Sequence, residues 1–226
     1  MTVLPPAGAP PWRRPAGLAA SALAATLPLP LILPRPVLDR LFAETGIVET
    51  GSVLVYVTLA LVAGLARPRR GGEPAIALAG LVLAARELDV NRRFTTMNVE
   101  KCATLCFFMA AKVPWSEKLI VGALLLALLA FTTQALRRWG PVFLAALRDR
   151  AAPAVTTVVA LATMVVSQVL DESAHGLRHQ GWRRLADYPW VGAEILELIG
   201  PMLLVVATLQ RGARPGAVAP VPTSHP

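Results

Sequence analysis

Nine acidic or imidazole side chains stand at spacings that let them act together. Glu172 and His175 are three residues apart, as are Glu194 and Glu197, while Ser167, Asp171, His175 and His179 recur every four. Residues three and four apart share a helix face, so each set would present its groups in one direction. Glu49, Glu87 and Asp89 complete the candidates, with Arg86 beside the last two. Converging carboxylates with a Glu-x-x-His pair are the ligand type by which helical bundles hold iron or manganese. Those bundles use two such pairs and this chain carries one. The pattern therefore points to a cation in the broad sense, either a divalent metal as the candidate cofactor or a cationic group. Ser167, His175 and an acid could imitate a hydrolytic triad, but two helical turns separate serine from histidine. A nucleophile needs its base within hydrogen-bond reach.

The competing explanation is structural. Carboxylates at helix ends commonly lie in the headgroup layer, and long side chains reach from there to water. Arg86 and Asp89, three apart, would then be an ion pair locking one helix to its neighbours. Against this, an ionisable group at the centre of a membrane helix costs about 2.5–3.5 kcal/mol on insertion scales. So many carboxylates near one level exceed what packing requires.

The elements that must position these groups are apolar helices. The 226 residues are 55% hydrophobic and only 16% charged, with a mean hydropathy of +0.56. Soluble domains average roughly 25% charged residues. The net charge of +8 does not indicate nucleic acid, because the basic residues fall in short runs between apolar segments, as anchors of membrane spans do. Cys102 and Cys106, four apart, would be poorly aimed for a disulfide and read as small packing residues.

Six spans are expected, forming one all-α, polytopic bundle over residues 16–210, between a cytoplasmic N-terminal segment 1–15 and a disordered tail 211–226. They cover approximately residues 16–33, 48–66, 74–87, 119–136, 151–170 and 191–209. Pro28, Pro30 and Pro34 must kink or extend the end of the first. The third holds only twelve apolar residues before Arg86, a rise of about 18 Å against a hydrocarbon core of about 30 Å. Arg86, Glu87 and Asp89 would then lie within the membrane or its interface, with Arg86 buried and paired to Asp89 or an acid of another helix. Residues 102–111 read as a short interfacial or re-entrant helix. Residues 141–150 read as an amphipathic connector, and 171–190 as a polar stretch outside the membrane. Trp115, Trp182, Tyr188 and Trp190 read as an aromatic belt.

Alternating six spans leaves Lys and Arg tied, eleven on each side. The short loops 67–73 and 137–150 nevertheless carry three and four arginines, and short arginine-dense loops stay cytoplasmic. Both termini are accordingly expected in the cytoplasm of a bacterial inner-membrane protein. Twelve of the fourteen acids then fall on the opposite side. The function implied is cation binding in an outward-facing pocket, with a metal-dependent enzyme acting on a lipid-type substrate as one use of it. The alternatives are a proton- or cation-coupled transporter and a non-catalytic subunit with a membrane partner. The lipid bilayer is the one partner common to all three.

Overall fold

Prolines divide the N-terminal part of the chain. α1 (Arg13–Thr26) ends in a turn at Leu27 and Pro28, α2 (Leu29–Ile32) adds one more turn, and α3 (Arg35–Phe42) begins after Pro34. The computed structural model describes residues 12–42, 46–65, 72–90, 94–96 and 104–212. Beyond α3 follow α4 (Ile47–Leu65), α5 (Glu73–Glu87), α6 (Thr104–Met109), α7 (Trp115–Arg148), α8 (Ala152–His179) and α9 (Arg183–Gly212). Among the described residues every regular element is helical. Five stretches, Arg13–Ile32, Arg35–Leu65, Trp115–Arg148, Ala152–His179 and Arg183–Gly212, are long and apolar enough to cross a membrane. The chain is thus an all-helical protein with the makings of a multi-pass membrane bundle. α5, with 15 residues, rises about 22 Å and is not one of the five. The tail from residue 213 and the arginine-dense loop at 66–71 lie outside the described residues.

The helices outrun their apolar runs. α7 continues for 34 residues through Pro141, where a separate connector was expected. Good helix formers, Ala, Leu and Arg, flank the proline on both sides. Its missing N–H costs only the bond to the carbonyl four residues back, which water or headgroups can supply at a membrane boundary. Likewise α8 and α9 extend through the polar stretch 171–190 and break only at residues 180–182, where Gly181 adopts φ +86°, a backbone state open to glycine. A short helix forms at Thr104–Met109. There Cys106 is disulfide-bonded, which corrects its reading as a free packing residue; Cys102 lies outside the described residues.

α8 and α9 form the most extensive helix pair, α4 and α5 the next, and α4 also packs on α9. Small residues line these contacts: Ser52, Ala60 and Ala63 on α4, Gly80 and Ala84 on α5, Ala160 and Thr163 on α8, and Gly200 and Ala207 on α9 are all buried. Lipid is as apolar as leucine, so membrane helices associate through close backbone approach. A Cβ on Gly80 would sit 2.9 Å from the Tyr56 carbonyl oxygen, so α5 can lie this close to α4 only with glycine there. α1 packs on α9, while α7 only grazes α8 and has no buried residue. Leu119, Ile120, Leu124, Leu126 and Leu129 of α7 are bare, a surface suited to hydrocarbon.

The two ends of the bundle differ. At one end a Cβ on Gly72 would lie 3.6 Å from Arg211 and 3.8 Å from Trp139, and Thr156 donates to Gln210 at 3.1 Å. At the other end α3 caps the bundle, with Leu38 and Phe42 buried in a cluster with Val48, Ala174, Trp190 and Val191.

Candidate functional site

The site is built on Trp190. Phe42 meets the indole edge-on, with ring centroids 6.3 Å apart, and the surrounding cluster leaves Trp190 only 8% exposed. Two guanidinium groups lie over this ring, Arg35 at 5.2 Å and Arg178 at 5.0 Å, within the range of cation–π attraction. Arg35 is further bound to Asp39, one turn on, at 2.9 Å, and to Asp187 of α9. The ion pair to Asp187 and the apolar side of α3 together fasten that helix across the bundle end.

Inward from the tryptophan, a cavity of about 390 Å³ is lined by Asp171 and Arg178 of α8, by Trp190, Ala193, Glu194 and Glu197 of α9, and by Arg35 and Asp39. Positions 190, 193, 194 and 197 follow the helical repeat, so one face of α9 forms the wall. Glu197 is held: Ser167 Oγ donates to its Oε1 at 3.2 Å and Gln168 Nε2 donates to the same oxygen at 2.8 Å. Ser167 is fully buried, and this bond is its role in the structure, not the attack on a substrate that a triad would require. Glu194 is half-buried and has no hydrogen-bond or ion-pair partner among the described residues.

Of the residues singled out by spacing, Asp171, Glu194 and Glu197 line this cavity. Glu49 of α4 and Glu87 of α5 lie within electrostatic range of Glu194, as do Asp171 and Glu197. Arg86 and the buried Tyr56 lie in range of Glu197. Glu172 and His175 of α8 are exposed and are not among the residues lining the cavity. His175 Nε2 meets His179 Nε2 at 2.9 Å, the four-residue stripe continuing because the helix runs on. Asp89 follows the end of α5 with φ +47°, and its N–H bonds the Arg86 carbonyl at 2.9 Å. Asp tolerates this left-handed state better than most residues, so Asp89 serves the helix end.

Arg86 is not buried as expected. Its side chain is 45% exposed, and it bonds the neighbouring Glu87 at 3.2 Å. The helix ends one residue after Arg86, so a long side chain there reaches the rim instead of the interior. Among the described residues no three His, Cys, Asp or Glu side chains are grouped to hold a metal ion.

Arg35, Asp39 and Arg178 escaped the sequence reading, and Trp190, expected in an aromatic belt, is instead buried in the bundle-end cluster. A signal for α3 was present: residues 35–42 place Leu38 and Phe42 on one face and Arg35 and Asp39 one turn apart, straight after a proline. Nothing local marks Arg178 or Trp190, because only the packing of α8 on α9 brings them beside the acids. The chain matches no known protein family, no curated protein and no solved structure.

Proposed function

We propose that the chain is a bacterial inner-membrane protein that crosses six times, keeps both termini in the cytoplasm, and binds a cationic group in the carboxylate cavity facing the periplasm. The observation that carries this reading is Glu194, a carboxylate drawn into the bundle with neither hydrogen-bond donor nor counter-ion beside two further acids. Withdrawing a carboxylate from water is costly unless it is paired. Glu197 has its donors, and Glu194 is left to be neutralised from outside. An organic ammonium fits better than a directly ligated metal, since His175 is not among the cavity-lining residues and, among the described residues, no three acids or imidazoles are grouped for coordination. Divalent metals remain in the test because magnesium is often held through its waters.

The six-span count rests on α5, whose N-terminus lies beside Arg211 and Trp139 and whose C-terminal Glu87 is in range of Glu194. It packs along α4 although it is short. One observation favours a second reading, cation-coupled transport: Pro201, lacking an N–H, leaves the Glu197 carbonyl without its helical donor. Interrupted backbone beside the bound ion is a transporter trait.

The test is thermal unfolding of the detergent-purified chain with ethanolamine, Mg²⁺, Mn²⁺ or Zn²⁺, since a ligand of the folded state raises Tm by mass action. Ethanolamine should raise Tm of the wild type and leave Glu194→Gln unmoved. If none of the four cations shifts Tm, the cavity is a packing network and the proposal fails. Uptake of the binding cation by proteoliposomes would move the protein to the transport class.

A further inference from the structure

The cavity is electrically polar along its length. On α8, Arg178 and Asp171 are seven residues apart, about 10 Å at 1.5 Å per residue, with the arginine nearer the helix end. On α9, Trp190, which carries both guanidinium groups, precedes Glu194 and Glu197 by one and two turns. The two helices run oppositely, yet both set the basic end outward and the acidic end inward. The outer parts, Arg35, Asp39 and Arg178, are exposed, while Glu194 and Glu197 are half-buried. The mouth therefore carries both arginines, Arg35 with its two carboxylate partners, while the floor is acidic.

The two arginines are not equivalent. Arg35 is neutralised by Asp39 and Asp187 and holds α3 in place. Arg178 has no carboxylate partner among the described residues, and its guanidinium lies over the Trp190 ring. The ring itself is locked by Phe42 and Leu38. Arg178 is thus a pre-positioned cation with its hydrogen-bonding fork unspent, at the opposite end of the cavity from the unpartnered Glu194.

We infer that the ligand is a zwitterion taken up ammonium first, its ammonium on Glu194 and its phosphate or carboxylate on Arg178. This rests on the cation reading above and adds the second half of the ligand. An arginine fork accepts either oxyacid group in the same two-point geometry. The volume, about 390 Å³, is that of a small-molecule site. Polarity selects the source. In a lipid headgroup layer the phosphate is the inner group and an ammonium the outer one, so a membrane lipid would meet this cavity reversed. A soluble zwitterion arriving from the aqueous side meets it in register.

Unfolding of the purified full-length chain is followed with four solutes: ethanolamine, inorganic phosphate, phosphoethanolamine and β-alanine. Phosphoethanolamine or β-alanine should raise Tm at concentrations roughly tenfold below those ethanolamine requires, the worth of one charge-assisted hydrogen bond. Arg178→Ala should erase that gap, while ethanolamine still raises Tm. Glu194→Gln should remove the response to all three amines. If both zwitterions act no better than ethanolamine, or Arg178→Ala leaves their advantage intact, the inference is overturned while cation binding stands. If no amine acts, both fall together. If phosphatidylethanolamine nanodiscs, set against phosphatidylglycerol nanodiscs, stabilise the chain and the soluble zwitterions do not, the assignment to a solute is wrong.

Discussion

Glu194 and Glu197 are one turn apart on the same helix and of the same type, yet they face opposite demands. Ser167 and Gln168 both donate to Glu197, so an ionised carboxylate is what that position is built around. Neutralising it weakens two bonds, each worth about 1 kcal/mol or more to a charged acceptor. Glu194 has acids around it and no donor, so its charge opposes folding. Glu197→Gln should therefore lower the Tm of the ligand-free protein by several degrees, at about 2–4 °C per kcal/mol for a chain of this size. Glu194→Gln should raise it or leave it unchanged. Equal losses from both variants would show that Glu194 is paired in the folded protein after all. The i, i+3 spacing put both acids on a shared face; their different roles came from α8.

Helix packing turns on whether a position can be approached by backbone. Gly80 and Gly64 both lie in helices of the α4–α5 hairpin, and sequence alone does not distinguish them. A Cβ at 80 would collide with the Tyr56 carbonyl at 2.9 Å, whereas nothing stands within 4 Å of one at 64. Gly80→Ala should force the hairpin apart and cost about 1–3 kcal/mol, the range for overpacking. Gly64→Ala should be neutral or stabilising by up to about 1 kcal/mol, since alanine is the better helix former. Thermal unfolding of the two variants side by side decides it; a Gly80→Ala protein as stable as wild type would mean α4 and α5 are not this close. α3 poses a related question, because it was not foreseen and yet caps the site. Leu38→Ala, emptying a side chain that is 2% exposed, should cost about 2–5 kcal/mol. It should also loosen Trp190 and blunt ligand stabilisation, an effect readable in the tryptophan fluorescence.

Orientation is a property of the whole chain. Reporter fusions after Arg70, Arg150 and Arg214 should report cytoplasm, and fusions after Arg93 and Gln180 should report periplasm. A periplasmic signal at Arg70 would invert the arrangement. An independent check comes from the turn between α7 and α8, where Arg148 and Arg150 are exposed and Arg150 has φ +51°. Trypsin should cut this turn in inside-out vesicles and spare it in sealed right-side-out vesicles. Cleavage from the outer face alone would place the carboxylate cavity towards the cytoplasm. α7 has no buried residue and packs only slightly on α8, which suits a helix that would face lipid on most sides in a membrane.

Much of the helical layout was legible in the chain itself. Apolar runs mark the five long helices, with Glu49 inside that of α4 and Glu194 and Glu197 inside that of α9, because hydrocarbon demands about twenty predominantly apolar residues in sequence and that requirement is local. The proline clusters marked the break after α1, since a missing N–H acts on its own turn. Spacing alone paired Glu194 with Glu197 and set Asp171 on the same stripe as Ser167. Other features depended on residues distant in sequence. Arg35 finds Asp187 across 152 positions, Ser167 finds Glu197 across 30, and Arg178 meets Trp190 only because α8 folds back on α9. His175 shares a stripe with Asp171 and Arg178, yet it stands outside the cavity lining and meets His179 instead, which spacing from Glu172 does not reveal. A helical repeat specifies which side chains lie together on one helix. Which face then looks inward is decided by the close packing of neighbouring helices, and that is information no single segment carries.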